Sequence, residues 1–108
     1  MNTYEKQVAK QIQTNLGSGY ILEGTQEGTV VVVGANMLAI AYVETSDNTI
    51  IEQEYILLNE ILSVKVDSSA IIFKIKSDDN RYIHLEPNVD TNTLLGKLLY
   101  LMGQVNKK

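Results

Sequence analysis

The chain has no cysteine and no tryptophan, and only one proline, one phenylalanine and one histidine in 108 residues. Without thiols it can form neither disulfides nor thiolate metal sites. His84 is the only imidazole, so the usual structural zinc set of Cys and His cannot be assembled, and no cofactor-binding motif is visible. The missing cysteine suits a reducing cytoplasm. A chain with no such staples must stand on its core. One domain of this length buries roughly two-thirds of its unfolded surface, which suffices. Residues 1–108 are therefore expected to form a single domain.

Long apolar stretches are also lacking. The longest runs, Val30–Val33 and Leu38–Val43, fall far short of the roughly 20 residues that span a bilayer. Residues Met1 to Gln7 show neither a cationic segment nor an apolar one, so no signal peptide is expected. A soluble cytoplasmic protein follows. Its Asn-, Ile- and Lys-containing composition points to a bacterial or phage source.

Positive charge is scarce where it would matter for polyanions. The net charge is −4, and no Lys or Arg lies between Lys10 and Lys65, while Glu23, Glu27, Glu44, Asp47, Glu52, Glu54 and Glu60 all do. Binding to a polyphosphate normally needs a basic stripe that displaces counterions. Nucleic acid and anionic membrane are therefore not expected as partners. The later residues Lys74, Lys76 and Arg81 offer only a local patch.

What is present reads as helix, strands, helix. Tyr4, Val8, Ile12 and Leu16 recur at every fourth position, which predicts an N-terminal helix over residues 4–16 with a narrow apolar stripe. Asn2 and Glu5 have capping-box spacing, and Gly17-Ser18-Gly19 ends the helix. From residue 20 to 86 the period changes to short β-rich runs separated by turn residues. Seven strands are expected: Tyr20–Thr25, Thr29–Gly34, Leu38–Glu44, Thr49–Leu57, Ile61–Val66, Ala70–Ser77 and Arg81–Glu86. Alternation places Leu38, Ile40 and Tyr42 on one face, Leu62, Val64 and Val66 on another, and Ile71, Phe73 and Ile75 opposite Lys74 and Lys76. Pro87 then stops the sheet. A second helix follows over residues 91–104, capped by Asp90 or Thr91. Its Leu94, Leu95, Leu98, Leu99, Leu101, Met102 and Val105 fill a stripe roughly 160° wide, suited to closing a barrel end or covering a sheet. Gly96, Tyr100 and Gly103 share the other side.

The step Asn59-Glu60-Ile61-Leu62-Ser63-Val64, two strands and a leucine-rich helix resemble bacterial pleckstrin-homology-like domains over about residues 20–104. The resemblance implies a mainly β fold, a seven-stranded antiparallel, partly open barrel or sandwich capped by a C-terminal helix, with the N-terminal helix as an addition. It also implies a scaffold that binds proteins, peptides or lipid headgroups, and seldom catalysis. Lipid-binding members resemble one another in basic residues around the first two strands. Here that region is Gly24-Thr25-Gln26-Glu27-Gly28, which is acidic, so neither the lipid function nor any binding residue carries over.

Chemistry-bearing residues are few. His84 shares a face with Tyr82 and Glu86, yet a general base needs a reacting partner nearby and none can be located. A solvent-facing role outweighs it. Asp78-Asp79-Asn80 lacks the alternating spacing of a calcium loop and reads as a hairpin turn. Ser68-Ser69 lacks the glycines of a nucleophile elbow, and Gly17-Ser18-Gly19 is too short for a phosphate loop. The acidic stretch from Glu44 to Glu60 reads as a solvated edge in preference to a surface for a basic partner.

The expected function is a non-enzymatic interaction or assembly module that binds a protein partner or itself as a homo-oligomer. The alternative is a small-ligand binder using the barrel mouth or a subunit interface. The residues expected to make the interaction are Tyr4, Val8, Ile12 and Leu16 of the first helix and Gly96, Tyr100 and Gly103 of the second. The glycine face is expected to receive the first helix, from its own domain or from another copy.

Overall fold

Where apolar residues recur every fourth position the chain coils, and where they alternate it extends. The computed structural model describes residues 2–44, 46–47 and 49–106, with side chains as far as residue 103. Helix α1 (Thr3–Leu16) opens on a reciprocal capping box. The Asn2 side chain accepts the Glu5 N–H at 2.8 Å, and Glu5 Oε1 accepts the Asn2 N–H at 2.7 Å. Gly17 closes the helix in the left-handed region, φ +84°, where a side chain would be strained.

Four antiparallel strands follow in spatial order: β1 (Tyr20–Leu22), β2 (Thr29–Val33), β3 (Met37–Val43) and β4 (Ile50–Leu57). A 3-10 turn at Leu58–Glu60 leads into a second antiparallel sheet of β5 (Ile61–Val66), β6 (Ala70–Ile75) and β7 (Asn80–His84). Helix α2 (Thr91–Asn106) ends the described chain. The molecule is thus mainly β, two sheets that do not close into a barrel, with one helix at each terminus. Several strands are shorter than their β-rich runs. β1 ends at Leu22, and Thr25 instead forms a lone bridge with Leu85. β6 and β7 end at Ile75 and His84.

Two cores lie on opposite faces of the first sheet. Between the sheets, Val31, Val33, Leu38 and Ile40 meet Ile71, Phe73, Ile83 and α2's Leu94, Leu98 and Leu101. On the outer face, Val30, Val32, Ala39, Ala41 and Val43 meet Val8, Ala9 and Ile12 of α1. β2 is therefore buried on both sides, which explains its unbroken valine run. The small residues Ala39 and Ala41 allow the helix to lie close to β3.

Two expected faces are corrected. A register shift between Ile61 and Ser63 places one extra residue in β5 opposite β6. That bulge turns Leu62 outward, 57% exposed, while Ile61, Val64 and Val66 pack on the inner core. On α2 the wide stripe is only partly used, since Leu99 stays 48% exposed beside the buried Leu98. Val105 lies outside the described side chains.

Candidate functional site

Two surfaces carry the residues that could recognise something. The first is the outer face of α2. Asp90 caps this helix, accepting the Asn92 and Thr93 N–H groups at 3.1 and 3.3 Å and the Thr93 hydroxyl at 2.9 Å. That hydroxyl, then the amides, hold its carboxyl below the usual carboxylate range. With Leu94, Leu98 and Leu101 anchored inward, the helix turns Gly96, Leu99, Tyr100 and Gly103 to solvent. These positions follow i, i+3, i+4, i+7 spacing and form one stripe. A Cβ added at Gly96 or Gly103 would meet nothing within 4 Å. Tyr100 is 64% exposed.

The N-terminal stripe is not available to that face. Val8 and Ile12 are buried against β2 and β3, with Leu16 half-buried on the same cluster. The expectation that the glycine face receives α1 is therefore corrected. The outer side of the first sheet offers a continuous apolar surface, and α1 covers it. Tyr4 is corrected too. It is exposed, and Glu5 occupies the buried side of the first turn. Its second oxygen, Oε2, accepts the Gly28 N–H at 2.7 Å, tying the helix to the β1–β2 turn.

The second surface is a groove of about 530 Å³ where the edge strands β4 and β7 approach without pairing. Ile40, Tyr42, Glu52 and Glu54 come from the first sheet, and Arg81, Tyr82 and His84 from the second. Opposition of Ile40 to Glu54 and Tyr42 to Glu52 puts both carboxylates on the sheet's inward face. Arg81 Nε donates to Glu54 Oε1 at 2.6 Å across the seam, and this hydrogen bond raises the guanidinium pKa further. The Tyr42 hydroxyl donates to the Tyr82 carbonyl at 3.3 Å. Burial, followed by the Glu52 and Glu54 charges, pushes the Tyr42 phenol up. Among the described residues Glu52 has no ion pair. The groove thus carries two carboxylates against one guanidinium.

His84 stacks on Tyr82, ring centroids 6.2 Å apart and 11° from parallel. The hydroxyls of the groove lining are the phenols of Tyr42 and Tyr82, the first already donating to the Tyr82 carbonyl. Asp78 takes φ +69° in the β6–β7 hairpin and pairs with Lys74 at 3.1 Å, the turn role its sequence implied. Ser69 lies in a turn held by Asp67, which accepts the Ser69 and Ala70 N–H groups at 2.8 Å each. Of the acidic stretch, Glu52 and Glu54 lie on β4, an edge strand, while Glu44, Asp47 and Glu60 lie outside it. Sequence reasoning missed the groove. The available signal was that Glu52 and Glu54 share the parity of the inward Ile56. Comparison with known protein families, characterised proteins and solved structures gives no significant match to this chain.

Proposed function

We propose that this chain is a non-enzymatic assembly module, on a pleckstrin-homology-like scaffold, that pairs with a second copy of itself through the outer face of α2. One observation carries the reading. Gly96 and Gly103 flank two exposed large side chains, Leu99 and Tyr100, and among the described residues nothing fills the space beside either glycine. A glycine inside a helix costs about 1 kcal/mol relative to alanine, and the domain's own packing does not require it here. Close approach of an outside surface does.

The stripe complements its own inverse. In an antiparallel pair with the two-fold axis beside Tyr100 and Gly103, each tyrosine lies over the partner's glycine. Lys97 is the only charged residue between Asp90 and Gly103, so two such faces meet with little repulsion. Tyrosine is enriched at such contacts because it contributes area with few rotors. The setting is the cytoplasm of a bacterium or of a phage-infected cell.

Sedimentation of the wild type beside Gly103→Leu and Tyr100→Glu tests this. A dimeric wild type and monomeric variants with unchanged melting support the reading. A monomeric wild type, or variants that still pair, overturns it.

A further inference from the structure

We infer that the groove between β4 and β7 is a docking site for an extended segment of another protein that bears lysine or arginine, added as a strand along the free edge of β7. The site is separate from α2, and its failure leaves the assembly reading intact.

Hydrogen-bond parity is the first argument. The Ile75 N–H donates to the Asp79 carbonyl and the Leu85 N–H to the Ser69 carbonyl. In an antiparallel ladder the residues that exchange bonds alternate with those that do not. Arg81 and Ile83 therefore bond to β6, and the amides of Asn80, Tyr82 and His84 point to the free edge. Two carbonyls confirm that direction: Tyr82's accepts from Tyr42, and His84's accepts the Gln26 N–H at 2.8 Å.

The second argument is a strand position left partly empty. Residues 24–26 already pair with the end of β7, through the Thr25–Leu85 bridge and the Glu86 N–H to the Gly24 carbonyl. The chain then turns away, with the Thr29 N–H donating to the Gln26 carbonyl. Alongside Tyr82 and Asn80 no described backbone continues the line of that short strand, only the Tyr42 hydroxyl reaches it, and there the groove lies. Addition of an extended segment to such an edge is a recurrent mode of recognition.

Charge selects the occupant. Side chains of an added strand alternate, so one set faces Tyr42, Glu52 and Glu54. A lysine or arginine stem lies on the Tyr42 ring while its cation reaches Glu52, which has no ion pair among the described residues. An acidic segment meets two carboxylates instead. The Tyr42 hydroxyl holds the Tyr82 carbonyl only at 3.3 Å, long for an O–H···O bond, and yields it to an incoming N–H.

The test is an amide-resolved NMR titration of the full chain. The probes are acetyl-Thr-Lys-Val-Lys-Val-Lys-Thr-amide, the same peptide with Glu for Lys, and cadaverine. The lysine peptide is expected to move the Asn80 and Tyr82 amides, while the glutamate peptide and cadaverine leave them in place. Tyr82→Pro removes one edge donor without touching the β6 ladder and should weaken binding at least tenfold. Glu52→Gln, an exposed change that spares the fold, should weaken the lysine peptide several-fold and narrow its preference over the glutamate peptide. The inference is overturned by no shift with the lysine peptide, by equal shifts with both peptides, by cadaverine reproducing them, or by Glu52→Gln binding as wild type.

Discussion

Replacing Glu5 by glutamine isolates a buried carboxylate that ties a helix to the sheet. Glu5 is 3% exposed, and its two oxygens accept backbone N–H groups from Asn2 and Gly28, each at 2.7 Å. Glutamine keeps one acceptor oxygen and turns an amide N–H₂ toward the other donor. One charge-assisted bond is lost and a buried N–H is left facing a donor, a combined cost of about 2–3 kcal/mol. For a domain near 100 residues this lowers the melting temperature by roughly 8–15 °C. Asn2→Ala removes only the cap to the Glu5 N–H, at about 1 kcal/mol. Urea and thermal unfolding of the two variants, with Glu44→Gln as an exposed control, give the ordering. If Glu5→Gln costs no more than Asn2→Ala, the Gly28 bond contributes nothing and the anchoring argument fails.

Leu98→Ala, fully buried between the sheets and α2, should lose about 2–5 kcal/mol in urea unfolding, whereas Leu62→Ser at the outward bulge should stay within about 0.5 kcal/mol; equal losses would contradict the bulge. Ile83→Pro removes a ladder donor and should unfold the domain by circular dichroism, while Tyr82→Pro on the free edge should retain it; the reverse result would invert the parity assigned to β7. The Asp90 carboxyl is held low by Thr93 and the helix amides, so its contribution is present above the usual carboxylate range and is lost as pH falls through the depressed value. Acid unfolding of Asp90→Asn should therefore show a shallower loss below about pH 4 than wild type, and identical acid limbs would rule out the cap as a source of pH dependence.

Much of this architecture was legible because local chemistry and packing agree. The capping box at Asn2 and Glu5, the stop at Gly17, the hairpin at Asp78 and the inward Ile71, Phe73 and Ile75 all follow from spacing. Leu62 was misplaced because a bulge adds one residue, and period-two reading has no term for that. Tyr4 was misplaced because a carboxylate that satisfies two amides competes successfully for the buried side of the first turn. The α1 site was hidden for a different reason. Valine at each of positions 30–33 fits a strand covered on both faces, yet such a run does not say which element covers it.

The groove follows from the same sequence by another route. Two sheets with apolar inner faces close on one another wherever both are apolar, as Ile56, Phe73 and Ile83 do. On β4 the inward positions ahead of Ile56 are Glu52 and Glu54, not aliphatic residues. Bringing β7 into pairing distance there would strip water from two carboxylates, and a single guanidinium can satisfy only part of that demand. Arg81 meets Glu54, and Glu52 keeps its solvent. The seam therefore stays open at the carboxylates and shut at the aliphatic residues beyond them. Edge strands commonly carry inward charges to discourage uncontrolled pairing, and here the same charges leave β7's outward amides exposed beside an acidic floor. A surface that repels most added strands in this way admits one whose side chains bring the missing cation.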